Sequence, residues 1–402
     1  MSISRFFLSI ALVFMISGVE AQQAINKLPY YPYFNSRDGL QHSLDIFSAN
    51  KNATVAFLGG SITFNAGWRD MVCDYLKRRF PATQFHFIAA GISSLGSLPH
   101  AFRLQRDVLD KGKVDLLFVE AAVNDHANKT DSLIQLQSLE GIVRHARNNN
   151  PAMDIALMSF ADEFKSADFD NGIVPTEVVN HELIAEHYRL PSINLAKEVH
   201  DRISNNEFSW KADFKDLHPS PFGQQLYFNT IKAMLSACFD SAGLKHEMAS
   251  LPLPAPLMSA PIDKGRFVSI TKVKADKNWK WYKDWTPSDS LPTRVGFVHV
   301  PLLETTTPGA SFTYRFRGSA VGLSLLTDAE AGTIVYSIDN GQANEINLVT
   351  EWSNSLHLPW FVLLGSGLGP EKHLLKMSFA GKAGGAPNSQ ACRILNLMVN
   401  DY

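Results

Sequence analysis

The sequence predicts an α/β domain built on a parallel sheet, followed by a smaller all-β domain. From Ala53 to about Phe239 the chain alternates short apolar runs with amphipathic helical patterns, which is typical of a parallel sheet between helices. A proline-rich stretch then interrupts the chain, and helical periodicity is nearly absent beyond it. With 402 residues, the chain exceeds the size at which a single core grows efficiently, so two domains are expected.

Five apolar runs predict the strands of the first domain. Each run is apolar throughout rather than alternating in polarity, as expected for strands buried on both faces. The runs are Thr54–Leu58, Phe85–Ala89, Val114–Glu120, Ile155–Ser159 and Ser192–Leu195, and the helical patterns between them include Trp68–Arg79, Ala101–Leu109, Leu133–Arg147 and Pro175–Tyr188. Active sites of such sheets lie at the carboxyl ends of the strands.

The second domain follows a linker. Four prolines between Leu251 and Pro261 predict a stiff, extended segment. We therefore place the first domain at 53–245, the linker at 246–261 and an all-β sandwich at 262–402. The strands predicted in the sandwich are Phe312–Phe316, Ala320–Leu325, Thr333–Ile338 and Leu374–Phe379, with a turn at Asp339-Asn340-Gly341.

The N-terminus has the layout of a secretory signal peptide over residues 1–21. Arg5 precedes the apolar run Phe6–Phe14, and Val19-Glu20-Ala21 resembles a cleavage site before Gln22. The alternative is a membrane anchor, but the run is short for spanning a bilayer. A lipoprotein is not indicated, because there is no cysteine near the cleavage point. We expect a secreted or periplasmic protein whose mature chain does not span a membrane, with an N-terminal extension at 22–52.

Composition narrows the classes of partner. The formal net charge is −2 without a long basic stretch, so nucleic acid is not expected as a partner. Cys73, Cys238 and Cys392 are far apart and odd in number, which permits at most one disulfide and shows no metal-ligand spacing. We expect neither a metal nor an organic cofactor, and the oligomeric state stays open.

Four short segments bring chemically useful groups to the predicted strand ends. Ser61 follows two glycines directly after the first strand, where the chain turns towards a helix and leaves backbone N–H groups unpaired. Gly91 ends the second strand, Asn124 follows the third, and His218 precedes the last helix of the domain. Each segment alone is common, but together they supply a nucleophile, oxyanion donors and a base.

These segments resemble the four blocks of the SGNH/GDSL hydrolases, in the family's order and at plausible spacing, over about 53–240. The resemblance implies a flavodoxin-like three-layer α/β/α fold with Ser61 as nucleophile and His218 as general base. It also implies an oxyanion hole made of the Ser61 and Gly91 backbone N–H groups and the Asn124 side chain.

Two positions depart from the family pattern. Ala122 stands where the third block usually has glycine, and Lys215 stands three residues before His218, where the family places its acid. Asp216, two residues before the histidine, is the favoured partner for the ring. Asp213 or a backbone carbonyl are the alternatives, and either would leave a Ser–His dyad.

The β domain resembles the jelly-roll modules carried by carbohydrate esterases, through its 333–341 and 358–360 stretches. This resemblance and the expected export imply a serine esterase that removes O-acyl groups, in particular O-acetyl groups, from a carbohydrate. The alternatives are a lipid or thioester acylhydrolase, and a carbohydrate-binding protein whose active site has decayed.

Arg103 follows the second block and could meet a substrate carboxylate or a sugar hydroxyl. We expect it instead to pair with a surface acid. For Trp279, Trp281 and Trp285, core or interface packing is expected rather than stacking on sugar rings.

Overall fold

The computed structural model describes residues 27–49, 51–240, 253–381 and 390–402. The signal peptide expected at 1–21 and the first part of the predicted linker lie outside these residues. Within the described ranges, no helix has the length and apolar character needed to cross a membrane.

The first domain is α/β, as predicted. Within the described residues its strands form one six-stranded sheet in the order β1-β6-β5-β4-β2-β3, in which β2 to β6 run parallel and β1 is antiparallel. Its elements are β1 (Phe34–Asn35), α1 (Gln41–Ser48), β2 (Asn52–Gly59), α2 (Ser61–Phe64), α3 (Trp68–Arg79), β3 (Gln84–Gly91), α4 (Ser97–Asp107), β4 (Leu116–Glu120), α5 (Ala122–Ala127), α6 (Ser132–Asn149), β5 (Asp154–Ser159), α7 (Glu163–Asp170), α8 (Thr176–His187), β6 (Ser192–Asn194), α9 (Leu195–Ser204) and α10 (Pro221–Asp240).

The order of the parallel strands indicates where in the sheet a ligand would bind. Counted from β2 in chain order, the five parallel strands lie in the order 2-1-3-4-5, which is the flavodoxin-like order. The chain reverses its winding direction between β2 and β4, which are neighbours in the sheet. Ligands of open α/β sheets bind in the crevice at this point. Ser61 begins the helix α2 that follows β2, and Asn124 lies in the helix α5 that follows β4.

Strand β2 is buried on both faces, which explains its continuous apolar run. Val55 and Phe57 belong to the core cluster on one side of the sheet, and Ala56 and Leu58 belong to the cluster on the other side. Successive side chains of a strand point to opposite faces, so a sheet covered by helices on both sides needs apolar residues at every position.

Part of the predicted N-terminal extension completes the α/β domain. Phe34 of β1 pairs with Ile193 of β6 at the edge of the sheet. Leu40 and Phe47, at the start and near the end of α1, are fully buried in the core. Residues 34–48 therefore pack as part of this domain rather than outside it.

The second domain is all-β and its strands pair antiparallel, again as predicted. In the described residues one sheet has the order β15-β12-β17-β10-β9 with β7 also on β17, and the other has the order β14-β13-β16-β11-β8. The strands are β7 (Gly265–Ser269), β8 (Lys274–Ala275), β9 (Lys280–Trp285), β10 (Val300–Thr305), β11 (Ser311–Arg317), β12 (Ala320–Thr327), β13 (Thr333–Ile338), β14 (Asn344–Asn347), β15 (Leu358–Gly365), β16 (Lys372–Gly381) and β17 (Cys392–Asn400). The predicted turn joins β13 to β14, with Asp339 and Asn340 at positive φ of 53° and 59°, as hairpin turns require.

The two domains share a packed interface. Met398 of β17 is buried in the core cluster that covers one face of the α/β sheet, and Phe267, Phe361 and Leu363 pack against that cluster. The end of the predicted linker lies along the same surface, because the backbone N–H groups of residues 257 and 258 donate to the Glu140 carboxylate. The β domain is therefore fixed against the α/β domain.

Candidate active site

Ser61 is the first residue of the short helix α2, directly after β2. The first backbone N–H groups of a helix have no partner within it, so the Ser61 N–H is available to a ligand. The side chain is half-buried, with the strand end behind it. This is the placement predicted for a nucleophile at the carboxyl edge of the sheet.

His218 lies in the loop before α10 and reaches Ser61 across the edge of the sheet. Ser61 Oγ is 2.8 Å from His218 Nε2, although 157 residues separate the two in the chain. For Nε2 to accept the hydroxyl proton, the ring must carry its own proton on Nδ1. The pair therefore has the hydrogen bond that general-base activation of a serine requires.

Asp216 lies beside the imidazole but makes its hydrogen bond elsewhere. Its Oδ1 accepts from the backbone N–H of His218 at 2.7 Å and is 3.9 Å from Nδ1, beyond hydrogen-bond distance. Lys215 just before it adopts a positive φ of 95°. With the acid two residues before the histidine rather than three, the carboxylate turns back on the chain, so it acts on the ring through its charge.

The two alternatives for orienting the ring are not seen either. Asp213 accepts from the backbone N–H of Ser209 at 2.8 Å and from its hydroxyl at 3.1 Å, and so closes the preceding turn. Among the residues that the structure describes, no carboxylate or carbonyl accepts a hydrogen bond from His218 Nδ1. The geometry is that of a Ser–His dyad with an aspartate nearby.

Gly91 and Asn124 both lie against the segment that carries Ser61. A Cβ at position 91 would be 2.4 Å from the Phe64 nitrogen of α2, and a Cβ at Gly60 would be 2.1 Å from Asn124 Oδ1. Only glycine permits approaches this close. Gly91 and Asn124 therefore both approach the 60–64 segment that carries Ser61, and the Asn124 side chain is partly exposed there.

Asp125, the residue after Asn124 in α5, binds the first residue of α4. Its Oδ1 accepts from the backbone N–H of Ser97 at 2.8 Å and from the Ser97 hydroxyl at 3.0 Å. Complete burial raises the pKa of Asp125 to about 7. This contact holds the start of α4 against α5, the helix that presents Asn124.

Burial lowers the pKa of His218, and so do the positive charges of Arg294 and Lys215, whereas Asp216 raises it. A base must be neutral to accept a proton, and a lowered pKa keeps the imidazole neutral at pH 7. The electrostatic setting of His218 thus suits a general base.

The β domain reaches the rim of the site through two loops that the sequence did not point to. Arg294 Nη2 donates to Ser94 Oγ at 3.3 Å, and Trp352 Nε1 donates to the carbonyl of Ala127, at the end of α5, at 3.1 Å. The Arg294 loop is anchored by His357, whose backbone N–H donates to the Pro292 carbonyl. No local sequence pattern signals these contacts, because each joins residues about 200 or more positions apart.

Arg103 does pair with an acid, Asp107, at 3.0 Å, but the pair is not on the surface as we expected. Its side chain is only 1% exposed, and Nη2 donates to the carbonyls of Gly59 and Ala90 at the ends of β2 and β3. Parallel strands leave polar backbone groups at their buried ends, and an inward-pointing guanidinium satisfies them.

The three tryptophans at the start of the β domain differ in their exposure to solvent. Trp279 and Trp285 are buried, in line with the expected packing role, whereas Trp281 is 42% exposed.

The arrangement can transfer an acyl group. It combines a serine hydroxyl, a neutral histidine within hydrogen-bond distance and a cluster of donors for a developing oxyanion. Within the described part of the chain, no cluster of three or more His, Cys, Asp or Glu residues is placed to hold a metal ion.

Comparisons with known proteins indicate a family for the first domain and a shared fold for both domains. Residues 57–226 match the model of the GDSL-like lipase/acylhydrolase family. A two-domain esterase (CEX) active on acetylated mannans aligns with 92% of this chain and 99% of its own, at a TM-score of 0.71 and 18% identity, and its structure with mannopentaose aligns equally far at 0.69 and 19%. At this identity the likeness establishes the shared two-domain fold. No curated protein is significantly similar in sequence.

The matched range contains Ser61, Gly91, Asn124 and His218, the residues that the fold gathers at one edge of the sheet. Residues 57–226 therefore form a GDSL-like lipase/acylhydrolase domain, to which an all-β module is joined. The family match of this domain identifies a carboxylic ester hydrolase.

Proposed function

We propose that this protein is a serine esterase that removes O-acetyl groups from a carbohydrate through an acyl-enzyme intermediate. The observation that carries the proposal is the 2.8 Å contact between Ser61 Oγ and His218 Nε2. A binding protein with a decayed site has no need to keep this pair in register with the Gly91 and Asn124 contacts.

In the first half of the reaction, His218 accepts the Ser61 proton as Oγ attacks the ester carbonyl. The carbonyl oxygen becomes negative and is stabilised by the N–H groups of Ser61 and Gly91 and by the Asn124 amide. The tetrahedral intermediate collapses, and His218 gives its proton to the departing sugar hydroxyl. Water then attacks the acyl-enzyme with the same base, which releases acetate and restores Ser61.

The choice of a carbohydrate rests on two supports. Structures that share the two-domain fold belong to an esterase active on acetylated mannans. In addition, the β domain places the partly exposed indole of Trp352 beside the helix that carries Asn124, and aromatic faces can stack on sugar rings. The expected signal peptide accords with a polysaccharide met outside the cytoplasm, so we propose a secreted or periplasmic location.

The test compares the mature protein with Ser61→Ala on p-nitrophenyl acetate. We expect kcat/KM of the variant to fall by about 10⁴-fold or more, to background, because no other group supplies the nucleophile. Ser204→Ala, at the exposed end of α9, is the matched control and should keep full activity. Equal activity of wild type and Ser61→Ala would show that the nucleophile is another residue.

The acyl group and its carrier need a second experiment. We expect activity on p-nitrophenyl acetate to exceed that on the octanoate ester, and acetate to be released from acetylated mannan or xylan. A preference for long acyl chains without release of acetate from any glycan would identify a lipid acylhydrolase instead.

A further inference from the structure

A buried guanidinium lies directly behind the strand ends that form the site. Arg103, on the inner face of α4, is 1% exposed. Burial lowers its pKa to about 10, while Asp107 acts in the opposite direction, so it is still charged at pH 7. A buried charge is costly unless every donor finds a partner.

Two of the four hydrogen bonds of this side chain lie within its own helix, and two reach neighbouring strands. Nη1 donates to Asp107 Oδ2 at 3.0 Å and Nε donates to His100 Nδ1 at 3.2 Å, both within helix α4. Nη2 leaves the helix and donates to the Ala90 carbonyl at 2.5 Å and to the Gly59 carbonyl at 3.2 Å. One nitrogen thus joins the carboxyl ends of two neighbouring strands.

These two carbonyls have a direct relation to the reaction. The Ala90 carbonyl belongs to the same planar peptide group as the Gly91 N–H, one of the three oxyanion donors, and in a trans peptide the two point in opposite directions. A hydrogen bond from a charged donor to the carbonyl both fixes the plane of the group and polarises its N–H. The Gly59 carbonyl also accepts from the Ile92 N–H at 3.0 Å, at the strand end that leads into Ser61.

We propose that Arg103 is a positioning residue for the oxyanion hole, which holds the Ala90–Gly91 peptide group in register with the strand end that carries Ser61. The proposal rests on the proposed esterase function. It assigns to Arg103 no contact with substrate, and its effect passes through the Gly91 N–H. Lysine is a poor replacement, because the guanidinium reaches the two carbonyls through Nη2 while Nε and Nη1 stay bound within α4. A single ammonium cannot make both sets of contacts in this fixed geometry.

The experiment uses Arg103→Lys, which keeps the charge and most of the volume, and Asp107→Asn as the matched control. Asp107→Asn removes the ion pair within α4 but leaves both carbonyl contacts. Kinetics on p-nitrophenyl acetate are expressed per active site, counted by labelling with a fluorophosphonate, and Tm is measured for each protein.

We expect Arg103→Lys to lower kcat about tenfold or more while KM stays within twofold of wild type. The acid limb of the pH profile of kcat/KM should stay in place, because Arg103 does not shift the pKa of His218. Asp107→Asn should lower Tm and keep kcat per active site. If Arg103→Lys does not fold, Arg103→Gln takes its place, because its amide can still donate to one carbonyl. For this variant too, we expect a lower kcat with KM nearly unchanged.

Two results have different meanings. If Arg103→Lys lowers Tm but keeps kcat per active site, Arg103 has a structural role only and the proposal is overturned. An inactive wild type contradicts the proposed function itself and is visible before any variant is compared.

Discussion

The α/β domain and the β domain contribute to the candidate site in different ways. Ser61, Gly91, Asn124 and His218 all belong to the α/β domain, and each lies at a strand end, in the first turn of a helix or in the loop before one. The β domain contributes Arg294 and Trp352 from loops, through side chains that cross the domain interface. The first domain therefore holds all the groups that we propose to react, and the second lies at the rim and adds charge around them.

The same difference is seen in how the strands are buried. Strand β16 alternates between buried and exposed residues along its length, whereas every residue of β12 is buried. One sheet of the β domain packs on the α/β domain and so loses its solvent-facing side, while the other sheet keeps it. A β module attached in this way is part of the structural frame of the site rather than a tethered appendage.

Of the changes that compare the two domains, Asn124→Ala in the α/β domain is expected to lower kcat the most. Removing one donor from an oxyanion hole lowers kcat by about 10²- to 10³-fold, and KM should change little because the donor acts mainly in the transition state. Asn171→Ala, at the exposed end of α7, is the control for kinetics on p-nitrophenyl acetate. If kcat falls by less than about fivefold, Asn124 is not an oxyanion donor.

A smaller effect is expected for Asp216→Asn. The asparagine oxygen can still accept from the His218 N–H, so kcat should fall less than about tenfold, against about 10⁴ for an acid that fixes the ring through Nδ1. Loss of the negative charge lowers the pKa of His218, and the acid limb of the pH profile should move to lower pH. A loss near 10⁴ would show that Asp216 bonds Nδ1 during catalysis.

The smallest effect, and the one that tests the β domain, is expected for Arg294→Ala. Its positive charge lowers the pKa of His218, so its removal raises that pKa and the imidazole becomes protonated at higher pH. The acid limb of kcat/KM on p-nitrophenyl acetate should therefore move to higher pH, with the alkaline plateau unchanged. Arg315→Ala, exposed on β11, is the control. A shift to lower pH, or none, would mean that the β domain has no electrostatic influence on the base.

Local patterns were sufficient for the parallel strands and for several helices of the first domain, and they pointed to residues that the fold brings together at the edge of the sheet. The strand predicted at Thr54–Leu58 is found at Asn52–Gly59, and the helix at Trp68–Arg79 has its predicted bounds. Burial on both faces makes a parallel strand apolar throughout, so its sequence is legible without tertiary information. Ser61 and His218 were likewise marked by their positions at strand and helix ends.

Local patterns were not sufficient for the partners of these residues. The sequence favoured Asp216 for the ring, but the loop directs the carboxylate to the His218 backbone N–H. It pointed to a surface pair for Arg103, whose side chain instead turns inward to two strand ends. A side chain's direction depends on the elements packed around it, which a single segment does not record.

By itself, the sequence determined the two-domain organisation, the parallel sheet, and the serine, glycine, asparagine and histidine that meet at its edge, because strand burial and strand ends leave local signatures. The tertiary structure alone decided that Asp216 stands off the imidazole, that Arg103 joins two strand ends, and that Arg294 and Trp352 border the site. These contacts depend on how separate elements dock, and docking is fixed by the packing of the whole chain.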